Sequence, residues 1–471
     1  MRKKSTDQEV LFDYNSLLID TVDDISRRQG FESDSLADCT PMSTGLLMLD
    51  LLYGGGIRPA WYTHFGPEQS AKTTGALSIV AAALNKKIPL IALVDYEGSS
   101  GNSKPYIGNI LRTMGCANSI NEVFGQRDEQ TGKWVIPPVV RYRAETRGEA
   151  FFDWLSEIER SLPDKKKIGN QWWLRFEKTK ANQAKVGEYA DSSMNKKYGD
   201  GLWVKARDGN LQGVIVVDSY PAMNPTSADN EDGDNSIALQ ARMFSKQLPR
   251  VKGRLSDKML AVIGINQLRM APMVRYGNPE VEPGGQSLKF MSDCRTRFNP
   301  RVTGMPGWPK NWNTETKYEE EPSVEVKGGK DSYRYIEITT KKNKLWNPGR
   351  KGWLRIWVED GNGDARGFDP FYDTVCYLFY TGQLYGRGRK SLYLKIDKYV
   401  PEPVAVKWEL LKEWVFADRP RIKEICDSLK LPRPFSLRKL CFAQMEKGIG
   451  EKLYISASAG KSNDDEEDGE E

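Results

Sequence analysis

Residues 66 to 74 read Gly66-Pro67-Glu68-Gln69-Ser70-Ala71-Lys72-Thr73-Thr74, and that order of residue types is chemistry for phosphate. Consecutive backbone N–H groups at a helix N-terminus point at an anion, Lys72 adds a mobile point charge, and the Thr73 hydroxyl can ligate Mg2+. Ala71 stands where such a loop ordinarily has glycine before the lysine. A left-handed backbone there would cost about 1–2 kcal/mol, whereas a helical one would cost little. Three further polar groups end apolar runs: Asp95 and Glu97 after 88–94, Asp218 after 213–217, and Asn266 with Gln267 after 260–265. A strand-tip carboxylate can orient and deprotonate water, another can hold Mg2+ directly or through water, and an amide can sense a γ-phosphate without adding charge.

These groups need elements to place them. The run 60–65 is predicted as a buried strand, 72–84 as the helix that follows it, and the three later apolar runs as buried parallel strands with polar tips at one sheet edge. His64 is the only histidine, so histidine triads and His-ligated metal clusters are nearly excluded, and hydrolysis is expected to rest on carboxylates, Lys, Arg, amides and Mg2+. The six cysteines, Cys39, Cys116, Cys294, Cys376, Cys426 and Cys441, contain no C-x-x-C pair. Neither a zinc site nor a disulfide framework is expected, and a reducing cytoplasm fits. No apolar run is long enough for a bilayer, and none behind Met1 serves as a secretion signal. The net charge of +5 includes seven acids in the last eight residues, and without them the body carries +12. Such a basic body suits a polyanion for which the tail competes, though a tail serving only solubility has the same composition.

The order and spelling of these pieces resemble the RecA family of recombinases. The matching segments are residues 42–50, the loop 66–74, residues 214–219, and the block that begins Ile265-Asn266-Gln267-Leu268-Arg269-Met270 and ends Gly284-Gly285-Gln286-Ser287-Leu288-Lys289-Phe290. The resemblance implies an α/β fold of P-loop NTPase type, a mostly parallel central sheet flanked by helices. It also implies ATP and Mg2+ as ligands, with Thr73 and Asp218 on the metal, Glu97 activating the attacking water, and Gln267 as the γ-phosphate sensor coupled to a DNA loop. Lys342 and Lys344 correspond to a Lys-Asn-Lys segment that reaches the neighbouring subunit's ATP; on spacing alone they read as a solvated pair. The family's adenine-contacting acid has no match in residues 98–106, which leaves Tyr106 to stack on the base. Two segments resemble DNA-binding loops: 229–237, ending at Ile237 and followed by a helix with Arg242, and 268–283 with Arg269, Met270, Met273, Arg275 and Tyr276, followed by Gly284 and Gly285. Cations for phosphate and apolar tips for wedging between bases suit single-stranded DNA.

At 471 residues the chain is predicted to hold several parts. They are an N-terminal helical, protomer-packing segment (1–40), an ATPase core (41–350) with insertions near 118–137, 165–212 and 303–333, a small α/β C-terminal domain (351–460), and an acidic tail (461–471). The insertion at 165–212 interleaves Lys165-Lys166-Lys167, Trp172-Trp173, Arg175, Lys178, Lys180, Lys185, Lys196 and Lys197. It reads equally as an extension of a single-strand path, a partner dock, or a solvated insertion around a small aromatic cluster. The reading is an ATP-dependent recombinase that forms a helical filament on single-stranded DNA and pairs it with homologous duplex; the longer insertions and the replaced glycine fit a bacteriophage-encoded member. A ring-forming DNA motor of the same core, and a noncatalytic ATP-gated DNA scaffold, are the alternatives.

Overall fold

The computed structural model describes residues 39–98, 104–226, 233–270, 280–301, 332–359, 367–387, 391–450 and 452. The N-terminal segment to residue 38, the insertion core at 302–331, the loop centre 271–279 with Met273, Arg275 and Tyr276, and the tail lie outside the described residues. Two compact units divide the chain, one made of Met1–Cys39 and Pro163–Gly209, the other of Thr40–Leu162 and Asn210–Glu471.

The larger unit is built on a nine-stranded sheet. Its strands are β1 (Ala60–Gly66), β2 (Leu90–Asp95), β3 (Val140–Ala144), β4 (Gly213–Asp218), β5 (Leu260–Gln267), β6 (Cys294–Arg301), β7 (Ser332–Asn343), β8 (Lys351–Glu359) and β9 (Gly367–Phe368). They lie in the order β9-β8-β7-β6-β1-β5-β4-β2-β3. From β6 to β3 along that row the neighbours pair in parallel, and β7, β8 and β9 continue the sheet antiparallel. The sheet is thus α/β and mostly parallel, as expected from the polar-tipped apolar runs. The alternation within each run feeds two faces. Tyr62, Val214, Val216, Ile263 and Ile265 join one core cluster, while Trp61, Ile215, Val217 and Val262 join the other. A strand covered on both faces reads as continuously apolar, which is why these segments show no polar alternation.

Helix α1 (Leu47–Tyr53) precedes β1, and α2 (Lys72–Asn85) follows it through the phosphate-type loop. Between β1 and β2 in the row stand β5 and β4, so the chain leaves β1 and returns beyond two intervening strands. In an open α/β sheet, ligands bind outside the carboxyl ends of strands at such a switch. Helix α3 (Gly148–Ser161) and helix α4 (Gly233–Lys252) support the second cluster, where Trp61 stacks with Phe152 and Tyr220 at centroid distances of 6.5 and 6.4 Å. A Cβ on Gly264 would lie 1.8 Å from the Tyr220 ring, so glycine is required in β5 for that ring to cross the sheet. Residues 126–136 form a short hairpin. Beyond β9, helix α5 (Pro370–Tyr380) and three C-terminal helices share the first cluster with a three-stranded sheet at Leu384–Arg387, Ser391–Ile396 and Val400–Val406.

In the smaller unit, strands Asp164–Ile168, Gln171–Phe176 and Leu202–Lys205 form an antiparallel sheet. Trp173, Met194 and Trp203 make its buried core.

Among the described residues no helix is long and apolar enough to cross a membrane. All six cysteines are buried.

Candidate nucleotide site

The loop between β1 and α2 owes its shape to close contacts. A side chain on Gly66 would meet the Phe298 carbonyl oxygen at 2.1 Å and Ser70 Oγ at 2.9 Å, so that strand end admits only glycine. Gln69 and Ala71 have φ of 54° and 64°, in the left-handed region. Ala71 therefore takes the strained alternative, at about 1–2 kcal/mol relative to glycine. Lys72 turns back over the loop and donates from Nζ to the Pro67 carbonyl oxygen at 2.5 Å and to Ser70 Oγ at 3.1 Å. Burial lowers its ammonium to about 8, with Asp218, Glu97 and Glu68 opposing the shift.

The strand tips converge on this loop. Thr73 Oγ1 donates to Asp218 Oδ2 at 2.9 Å. Burial pushes the Asp218 carboxyl up to about 7, and the Glu97 charge adds to the shift. Asp95 makes the turn beyond β2: its Oδ1 accepts from the backbone N–H groups of Glu97 and Gly98 at 3.0 and 2.9 Å, and its Oδ2 from Tyr142 at 3.0 Å. Glu97 is thereby aimed at the cleft, where its Oε1 accepts from Ser219 Oγ at 2.6 Å and from Gln267 Nε2 at 3.0 Å. Glu68, Gln69, Ser70, Ala71, Lys72, Thr73, Thr74, Glu97, Tyr106, Asp218 and Gln267 all line one cleft of about 370 Å³. Gly66 and Pro67 form the near end of the loop.

Sequence reasoning misses four residues of this region. Arg334 on β7 reaches across and donates from Nη1 to the Gln69 carbonyl oxygen at 2.8 Å, while Ile356 and Trp357 of β8 close the same wall. Ser219 bonds Glu97 directly. The alternation of β7 and β8 gives no sign that their ends face a loop more than 260 residues earlier, whereas Ser219, next to Asp218 at a strand tip, is legible in principle.

Lys342 and Lys344 are not among the residues lining this cleft. Lys342 Nζ donates to the carbonyl oxygens of Lys289 and Phe290 at 2.9 and 2.7 Å, capping the helix Gly285–Met291 with a cation. Its pKa is lowered by burial first and then by Lys344 and Lys252.

Beyond Gln267, Leu268 donates its N–H to the Gly66 carbonyl oxygen at 3.0 Å. Arg269–Met270 then pairs antiparallel with Glu280–Val281, forming a ribbon base for the loop between them. Arg297 to Glu280 at 2.6 Å and Arg295 to Glu282 tie that base to β6. Ile237 and exposed Arg242 belong to α4. Gly284 and Gly285, at φ of 90° and 72°, bring their backbone against α4: a Cβ on Gly285 would sit 2.7 Å from Ala241 Cβ.

Thr73 and Asp218 offer hard oxygen donors at hydrogen-bond distance from each other, and the buried Asp218 carboxylate would gain from a cation there, so that donor set fits Mg2+.

Residues 204–304 match the RecA N-terminal domain family. Protein RecA of Thermus thermophilus is 34% identical over 336 residues, covering 70% of this chain and 69% of that protein. Protein RecA of Thermus aquaticus is 36% identical over 172 residues, 36% of this chain and 42% of the relative. The chain spans about half the length of several other RecA relatives, 56% and 53% for those of Borrelia hermsii and Borrelia turicatae. Among solved structures, that of the RadB recombinase aligns with 69% of this chain and 98% of its own at 16% identity and a TM-score of 0.35, a likeness too loose to build on. On the sequence match to the Thermus thermophilus protein, this chain belongs to the RecA family.

Proposed function

We propose that this chain is an ATP-dependent recombinase that assembles as a helical filament on single-stranded DNA, pairs it with homologous duplex, exchanges strands, and resets by hydrolysing ATP. The observation that carries the reading is the hydrogen bond from Gln267 to Glu97 at the cleft, because Gln267 is also the residue from which the ribbon Arg269–Met270 departs. One side chain then answers to the nucleotide on one side and to a loop on the other. A carboxamide that exchanges Glu97 for a γ-phosphate oxygen moves the base of that loop, which is how binding at two sites becomes one equilibrium.

In this reading Glu97 orients the attacking water and takes its proton, held in place by Asp95 below and Ser219 beside it. Lys72 leaves the Pro67 carbonyl for phosphate oxygens. Thr73 and Asp218 would hold Mg2+, which when bound neutralises phosphate charge and fixes its geometry. Tyr106, 45% exposed at the cleft wall, is available to the base. Lys342 and Lys344 would act on the ATP of the next protomer, consistent with their place away from this chain's own cleft. Single-stranded DNA would meet Ile237, Arg242, Arg269, Met270, Met273, Arg275, Tyr276, Gly284 and Gly285. The N-terminal segment 1–40 would pack on a neighbouring protomer, with 351–460 a C-terminal domain and 461–471 a competing acidic tail.

Glu97→Gln tests the base. Turnover of ATP on single-stranded DNA is expected to fall about 100-fold or more, with binding of a fluorescent ADP analogue retained. Undiminished turnover would remove Glu97 from the reaction.

A further inference from the structure

Within the smaller unit, the stretch Pro163–Gly209 carries eleven lysines and arginines against six acids. In its antiparallel sheet Trp173 stands directly across from Lys166 on one side and Lys205 on the other, so all three share a face. Arg175, two positions along, is on that face too and pairs with Trp203 in register. Helix Ser193–Tyr198 packs Met194 against Trp173 and Trp203 and carries Lys196 and Lys197 in its last turn. Cations lie over three of the rings: Lys205 over Trp173 at 5.8 Å, Arg175 over Trp203 at 5.9 Å, and Lys197 over Tyr198 at 5.2 Å. Arg175 is neutralised by Asp164 at 3.3 Å. Lys196, Lys197 and Lys205 are exposed; none is within salt-bridge distance of a carboxylate among the described residues, and the one acid whose charge faces them is Asp191, opposite Lys205.

The sequence leaves open whether aromatics among these cations extend a path for single strands. Single strands are held by bases stacking on exposed rings. Here Trp173 is 6% and Trp203 2% exposed, each serving as core. Trp172 packs on Gly209, where a Cβ would come within 2.5 Å of the indole. Tyr189 stands out at 65%, but one ring is no platform for successive bases. What remains is a surface of mobile point charges on a rigid aromatic base, which suits a polyanion whose bases are hidden. Backbone phosphates of a duplex meet that description.

We propose that the unit Pro163–Gly209 is a duplex-DNA-binding site, contacting phosphates through Lys196, Lys197 and Lys205. The proposal rests on the recombinase reading for its purpose, since pairing requires that a duplex be brought to the filament. Its chemistry does not depend on ATP turnover.

The test uses the full chain with Lys196→Gln, Lys197→Gln and Lys205→Gln combined, beside a control with Lys407→Gln, Lys423→Gln and Lys430→Gln, which removes equal charge from exposed positions of the other unit. Binding of labelled duplex and labelled single strand is followed by anisotropy over a range of NaCl concentrations. Duplex affinity is expected to fall about ten-fold or more at low salt, and the slope of log affinity against log salt to flatten by about 0.9 for each phosphate no longer neutralised. Single-strand affinity and the control are expected to stay unchanged. Unchanged duplex affinity and slope, an equal fall for single strands, or an equal fall in the control would each overturn the proposal. Hydrolysis of ATP by the unaltered chain with and without single-stranded DNA, measured alongside, reports the recombinase reading by itself.

Discussion

Ala71 shows what a single residue type can and cannot disclose. Its presence before Lys72 marks a departure from the usual loop, but whether that departure strains the backbone depends on φ, which neighbours decide. The structure sets φ at 64°. Replacing Ala71 by glycine relieves about 1–2 kcal/mol and costs about 0.4–1 kcal/mol in unfolded-chain entropy, so a net gain of about 0.5–1 kcal/mol is expected in urea unfolding. A loss on Ala71→Gly would mean that the loop does not need this conformation. His64 makes a second case. The sequence offers it only as an exclusion of histidine chemistry, because nothing in its neighbours reveals that it lies fully buried in β1, hydrogen-bonded to Tyr53 at 3.0 Å and packed on Phe298. Burial lowers its pKa to about 4 from 6.5. The unfolded chain thus binds this proton at a higher pH than the folded one. The stability is whole above pH 6.5 and is lost as pH falls towards 4, at up to about 1.4 kcal/mol per pH unit. Thermal unfolding from about pH 7 to about pH 4.5 should show a shallower fall for His64→Asn than for the unaltered chain; parallel curves would remove His64 as the source.

Elements are most legible where a run is apolar on both faces, and least where two distant elements meet end to end. The tips of β2, β4 and β5 announce themselves because carboxylates and amides after buried runs have few other reasons to be there. Arg334, Ile356 and Trp357 do not, since their place over the loop follows from the antiparallel extension of the sheet and not from local pattern. The same holds for the seat of α1. The buried carboxylate of Asp373 in α5 accepts from the backbone N–H groups of Leu47 and Met48, both at 2.9 Å, and from Arg438 at 2.8 Å. A carboxylate at a helix N-terminus satisfies donors that the helix leaves unpaired. Arg438 also donates to the Gly45 carbonyl oxygen at 3.0 Å, so three separate stretches close on one ion pair. Asp373→Ala removes one member and strands the other, and a loss of about 3–5 kcal/mol in equilibrium unfolding is expected. A loss below about 1 kcal/mol would show that the helix is seated by apolar packing alone.

At the scale of the molecule, family membership and a cleft lined by loop and strand-tip residues read from the sequence support the proposed mechanism, in which nucleotide state would be passed to a DNA-binding loop through Gln267. The chain's net charge of +5 and the cationic unit at Pro163–Gly209 fit a protein that handles polyanions, yet charge alone does not distinguish a recombinase from a passive scaffold. Coupling does. The most direct measurement is steady-state ATP hydrolysis with and without single-stranded DNA, for the unaltered chain and for Gln267→Ala, with ADP-analogue binding followed in parallel. Strong stimulation by DNA is expected in the unaltered chain, and in Gln267→Ala nucleotide binding without that stimulation. Hydrolysis indifferent to DNA in the unaltered chain, or stimulation that survives the loss of Gln267, would contradict the proposed mechanism.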